Sequence, residues 1–209
     1  MIQRSQPEGG TDPVMRGARR LSRWSLWFSG ALVLLAAVLI GIDVVLRKLF
    51  STSIGGADEL AGYALAIGTA WSLAAALLDR AHIRIDSLYV LLPMRMRLVL
   101  DFAGLALFVA FFGLIAWHGS SMVMQSWRSA SRSQSALQTP TVIPQSIWVL
   151  GLVIFVVIGA LLFVHALMLV RRGRLAEAAN AISTRSAEEE VMDEVRDLVD
   201  RQSGAAGSR

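Results

Sequence analysis

The sequence predicts an all-α integral membrane protein: four transmembrane helices, a cytoplasmic interfacial segment between the second and third, and both termini in the cytoplasm. Three observations predict it. The stretches Trp24–Ile42, Leu60–Leu78, Phe102–Trp127 and Ser146–Val170 contain no Asp, Glu, Lys or Arg. A helix rising about 1.5 Å per residue crosses a hydrocarbon core roughly 30 Å thick in about 20 residues, so each stretch is long enough to span. Hydrophobic residues make up 55% of the chain and charged ones only 17%, a balance suited to a surface that faces lipid. The basic residues are also asymmetric. Arg4, Arg16, Arg19, Arg20, Arg23, Arg80, Arg84, Arg95, Arg97, Arg171, Arg172 and Arg174 fall on one side of the expected topology, against Arg47, Lys48, Arg128 and Arg132 on the other. The positive-inside rule therefore sets both termini and the middle loop in the cytoplasm.

The first span is expected over residues 24–46, after a polar cytoplasmic segment at 1–23. Its polar lead and the lack of an A-x-A cleavage pattern make it a retained anchor, not a signal peptide. Trp24 and Trp27 open it, where an aromatic belt lies, and Asp43 precedes Arg47 by four residues, the spacing of an interfacial ion pair. The second span, 60–78, follows Asp58 and Glu59, which suit the positive end of a helix dipole.

Residues 79–93 interleave charges with Ile83, Ile85, Leu88 and Leu91, the pattern of a segment lying along the cytoplasmic leaflet. Asp86 is placed to cap a short helix that Pro93 interrupts. The third span is expected over 98–127. Its uncharged part alone would measure about 39 Å, which implies tilt or extension past the surface. Trp127 closes it and Trp148 opens the fourth span, at 146–170, while Trp71 and Trp117 sit deeper.

Between these spans, Arg128 to Gln145 is rich in Ser and Gln, and its prolines discourage regular structure before Pro144 fixes the start of the last helix. Residues 171–209 form a polar cytoplasmic tail, in which Val191, Val195, Leu198 and Val199 recur at helical intervals. One membrane domain, 24–170, is thus expected between two polar ends. Small residues at close spacing, Ala66, Ala70 and Ala74 beside Ala64 and Gly68, Ala37 and Gly41, and Ala106 and Ala110, suit close helix contact.

Composition excludes several functions. Without cysteine there is no disulfide, thiolate metal site or cysteine nucleophile. The pI near 10.6 comes from arginines beside apolar runs, not from a contiguous basic stripe, so no nucleic-acid partner is expected. His118 and His165 lie in spans at depths differing by about 15 Å, too far apart to ligate one haem iron. His82 lacks an H-E-x-x-H partner, and no P-loop, G-x-S-x-G or Rossmann pattern occurs. No enzyme activity, cofactor or metal is therefore expected.

Several motifs occur in a fixed order: Arg47-Lys48-Leu49-Phe50, Asp58-Glu59-Leu60-Ala61, Asp79-Arg80-Ala81-His82-Ile83-Arg84-Ile85-Asp86, Leu92-Pro93 with Arg97, Thr139-Pro140 and Ile143-Pro144. In this order the chain, over about residues 20–172, resembles the small membrane subunit (DctQ-like) of the tripartite ATP-independent periplasmic (TRAP) transporters. The resemblance implies a sodium-coupled importer of an organic acid such as a dicarboxylate or sialic acid, resident in the bacterial inner membrane. A soluble periplasmic binding protein delivers substrate, a large elevator-type membrane subunit transports it, and the small subunit is a fixed scaffold that helps dock the binding protein.

On the matching positions, Arg47, Glu59, His82, Arg84 and Asp86 become subunit-interface or structural residues. Glu59 is expected to cap its helix or pair with a base such as Arg47, and the other three after the second span to hold the interfacial segment against the large subunit or lipid headgroups. Arg128, Arg132 and Thr139 become the docking contacts for the binding protein. The competing reading is a self-sufficient oligomeric channel or exporter.

Overall fold

In the computed structural model, which describes residues 13–78, 92–182 and Val195, the four long helices stand in a row whose spatial order differs from their order along the chain. The helices are α1 (Pro13–Phe50), α2 (Ala57–Leu78), α3 (Met94–Arg128), α4 (Val142–Arg171) and the short α5 (Leu175–Ile182). The first four are long and apolar enough to cross a membrane. No strand occurs among the described residues, only an isolated antiparallel bridge between Arg132 and Pro140.

The main contacts join α1 to α2, α2 to α4 and α4 to α3, which gives the order α1, α2, α4, α3. Burial agrees: in their most apolar windows, 39% of α2 and 33% of α4 is buried, against 17% of α1 and 11% of α3. The two inner helices are covered on both sides. The outer two each present a long apolar face, including Leu34, Leu35, Leu107, Phe111 and Leu114. In water such faces would drive aggregation; in a bilayer they are the lipid- or partner-facing surface.

Helix α1 meets α2 through Met15, Ala18, Ser22, Ser25, Ser29, Leu32, Ala36, Leu39, Asp43 and Leu46, all buried or half-buried. Their spacing alternates between three and four residues, the 3.5 repeat of a left-handed helix pair. Because lipid tails are as apolar as leucine, such a seam gains from close packing and polar contacts, not from escaping water. Ser29 Oγ donates to the Gly68 carbonyl at 2.7 Å. A Cβ on Gly68 would lie 3.2 Å from Val33 and 3.3 Å from Ser29 Oγ.

The expected small-residue contacts divide accordingly. Ala70, Ala74 and Gly68 are buried on α2, whereas Ala66 is exposed, as are Ala37 and Gly41 on α1 and Ala106 and Ala110 on α3. Ala37 is one residue, about 100° of helical rotation, past the buried Ala36, so its spacing pair faces outward.

Between α2, α4 and α3 the core is aromatic. Phe155 of α4 is fully buried and meets Phe108 and Phe112 edge to face, with ring centroids 5.4 and 5.1 Å away. Trp71 Nε1 donates to the Ile147 carbonyl at 2.9 Å, tying α2 to the start of α4. Trp24, Trp27, Trp117 and Trp127 are exposed, while Trp148 is half-buried against Gly119.

Helices exceed the expected spans. Pro13 begins α1, so Arg16, Arg19, Arg20 and Arg23 sit on helix, and α3 runs from Met94, after Pro93 in extended conformation. At Pro93 the carbonyl accepts from the amides of Met96 and Arg97, and the ring supplies the fixed φ of a helix start. Pro144 sits in the first turn of α4, where its missing N–H is no loss. Gly173, at φ +75°, ends α4 in a Schellman motif: its amide bonds to the Val170 carbonyl and that of Arg174 to Leu169. The chain then folds back as α5, burying Ala178 against Leu98 and Leu169, with an Arg174–Glu177 pair outside. The interfacial segment at 79–91, the cap expected at Asp86, residues 1–12 and the periodic tail at 188–200 lie outside the described residues, Val195 excepted.

Candidate functional site at the loop-bearing end

One end of the row carries two loops, residues 51–56 between α1 and α2 and residues 129–141 between α3 and α4. Helix α1 stops at Ser51, whose φ of +50° is left-handed, with the Thr52 amide reaching back to the Leu46 carbonyl at 3.5 Å. Asp43 then holds the loop. Its side chain, 2% exposed, accepts from Arg47 one turn later, from Ser53 Oγ at 2.9 Å and from the Ile54 amide at 2.6 Å. The expected Asp43–Arg47 pair is present, but its larger consequence is the turn into α2. A guanidinium, a hydroxyl and an amide thus occupy three of the carboxylate's roughly four acceptor sites.

The longer loop is built by its own backbone. Helix α3 ends in a second Schellman motif, with the Ala130 amide bonded to Trp127 O, the Ser131 amide bonded to Ser126 O, and Ala130 at φ +47°. Ser133 N donates to Thr139 O at 2.9 Å and Thr141 N to Ser131 O at 3.1 Å, folding the loop into a narrow hairpin. Arg132 Nη1 reaches the Gln138 carbonyl at 3.3 Å, across the same turn.

Glu59 joins this hairpin to the second helix. Its carboxylate accepts from Tyr63 Oη at 2.6 Å on its own helix, from Ser133 Oγ at 2.9 Å and from Ser135 Oγ, and the Thr139 hydroxyl is directed at it too. The side chain lies in the first turn of α2, where the dipole favours a negative charge, yet its partners are hydroxyls and not Arg47, which is committed to Asp43. Beside it the two loops touch. A Cβ on Gly56, at φ +94°, would run into the Leu137 side chain, and one on Gly55 would lie 3.1 Å from Ala136 Cβ. Only glycine both adopts that φ and leaves room for the tip of the hairpin.

The structure thus links Arg47, Glu59 and Thr139 into one assembly and sets Arg132 on its rim. Arg128 stands apart at the end of α3, exposed, lining a shallow groove with Trp117, Ser121 and Met124. His82, Arg84 and Asp86 lie outside the described residues. Sequence reasoning passed over Ser53, Tyr63, Ser133 and Ser135. Serines at 129, 131, 133 and 135 were a signal, since alternate residues of an extended segment share one side. Among the described residues no group of three His, Cys, Asp or Glu is placed to hold a metal, and His118 is exposed while His165 is half-buried.

An open row of four apolar, uninterrupted helices, knotted at one end by a polar clasp, defines the class: a multi-pass helical membrane protein. Residues 36–172, well over half of the chain, match the family described as tripartite ATP-independent periplasmic transporters, DctQ component, and the chain belongs to that family. It is accordingly the small permease subunit of a TRAP transporter, a transporter component and not a member of an enzyme family, in the inner membrane. No curated protein and no solved structure matches the chain.

Proposed function

We propose that this chain is the stationary scaffold of a sodium-coupled TRAP importer of an organic acid, bracing the large elevator subunit and presenting its clasped loops to the periplasmic binding protein. The observation that carries the reading is the unbroken course of α1 to α4. Transport sites are built from helices interrupted at the membrane midplane, where exposed backbone and polar groups hold the substrate. Here Trp24–Ile42, Leu60–Leu78, Phe102–Trp127 and Ser146–Val170 are continuous helix without a carboxylate, lysine or arginine.

The apolar faces of the two outer helices support a membrane partner, since each is far more exposed than the faces of α2 and α4. The arginine asymmetry supports an orientation with both termini in the cytoplasm, which puts the clasp in the periplasm. Arg132 on the rim and Arg128 at the end of α3 are then the docking charges, with Thr139 holding the hairpin that carries Arg132. Arg47 and Glu59 shape the surface that is docked. His82, Arg84 and Asp86 are assigned to the contact between the interfacial segment and the large subunit or lipid headgroups.

Co-expression tests the reading. The tagged chain should retain the large subunit through detergent purification, and pairs of cysteines placed on the outer faces of α1 or α3 and on the large subunit should cross-link; the absence of native cysteine makes the background clean. Purification of the chain alone, as a stable homo-oligomer that excludes the large subunit, would overturn it.

A further inference from the structure

At the end opposite the clasp, α1 carries a second surface. Arg16, Arg19, Arg20, Arg23, Trp24 and Trp27, all exposed, line an open cleft of about 670 Å³. At 100° per residue these six fall within an arc of about 140°, on the side away from the seam formed by Met15, Ala18, Ser22 and Ser25. That seam keeps the segment fixed: Met15 and Ala18 belong to the same core as Leu77 and Leu162. The four arginines are therefore presented at set backbone spacings on a docked helix.

Depth and charge identify the occupant. The indoles adjoin the first apolar run and the arginines lie beyond them, reaching about 16 Å along the axis from Trp27 to Arg16. This is the order of a phospholipid, acyl and glycerol first and phosphate outside. Arg16 with Arg20, and Arg19 with Arg23, are each one turn apart, and a guanidinium grips a phosphate with two parallel hydrogen bonds. Between Pro13 and Asp43, α1 holds no acidic residue to neutralise them. A zwitterionic headgroup brings its own cation to such a surface and gains little; a net anionic one gains fully.

We propose that this face of α1 binds an anionic phospholipid headgroup, of the phosphatidylglycerol type.

The test uses the purified full chain in liposomes containing brominated phosphatidylglycerol or brominated phosphatidylcholine at equal mole fraction, reading tryptophan quenching. The contribution of Trp24 and Trp27 is isolated with Trp24→Phe and Trp27→Phe. Brominated phosphatidylglycerol should quench these two more strongly, and Arg16→Gln and Arg19→Gln should each weaken the preference about fivefold. Arg20 and Arg23 remain in those variants to hold orientation, and Arg16→Lys and Arg19→Lys, which keep the charge but lose the two-point grip, should retain only part of the preference. Equal quenching by the two lipids overturns the proposal, because the arginines then serve orientation or a protein partner. Loss of the preference in excess inorganic phosphate, but not in chloride of equal ionic strength, overturns it too, since the site then takes a free phosphate.

Discussion

Glu59 and Ser133, 74 residues apart in sequence, are joined by a hydrogen bond of 2.9 Å that fastens the hairpin before α4 to the first turn of α2. With Ser135, Tyr63 and Thr139 around the same carboxylate, this one side chain organises the exposed end of the molecule. Replacing it should free the hairpin and leave the helices in place. Glu59→Ala is expected to accelerate amide hydrogen exchange across residues 131–139 while α2 and α4 keep their protection. Glu59→Gln, which retains one acceptor oxygen, should fall between the two, and unchanged exchange in the alanine variant would remove Glu59 from its organising place.

The glycine at the loop contact offers a test by non-additivity. Gly56→Ala meets two obstacles, a φ of +94° and the Leu137 side chain. Leu137→Ala removes the second only. The double variant should therefore recover part of the stability lost by Gly56→Ala, leaving a residue of about 1 kcal/mol for the backbone alone. Full additivity in an unfolding titration in mixed micelles would mean that the loops do not touch.

Two helix ends predict opposite signs for glycine and alanine. Ala130 carries the left-handed penalty at the end of α3, so Ala130→Gly should stabilise by about 1 kcal/mol. Gly173 ends α4 at φ +75° in open space, with nothing within 4 Å of where a Cβ would stand. Gly173→Ala should therefore destabilise by a similar amount, about 1 kcal/mol, through backbone strain alone. The same mixed-micelle titration reads both, and equal signs would contradict the cap assignments.

The aromatic core should answer to cavity formation. Phe155→Ala removes a fully buried ring that meets Phe108 and Phe112. Because lipid offers no hydrophobic transfer gain, the cost should sit below the water-soluble range, at about 2 kcal/mol. Thermal inactivation of the fold, followed by loss of the monodisperse chromatographic peak, should move to lower temperature. Phe111→Ala, on the exposed face of α3, should move it far less in the isolated chain.

The spans were legible because a bilayer leaves few solutions: backbone polar groups must be satisfied internally, and an uncharged run of sufficient length has to be a helix. The helix extension to Pro13 was not, since Arg16 to Arg23 read as a polar lead, and it is the burial of Met15, Ala18 and Ser22 that shows this segment to be docked. The α1 seam escaped for a related reason. Ser22, Ser25 and Ser29 look polar in isolation, while Ala37 and Gly41 look suited to contact; helical phase, fixed by the partner helix, buries the serines and exposes the other two. Asp43 and Arg47 were legible as a local pair, because four residues bring side chains together on any helix. The bond from Glu59 to Ser133 was not, because nothing local at either residue specifies a partner across two intervening spans.

Flux in proteoliposomes tests the scaffold reading most directly. Substrate uptake should require the large subunit, the soluble binding protein and an inward sodium gradient together with this chain, and should vanish when this chain is left out. Substrate or ion flux through vesicles containing this chain alone would contradict it.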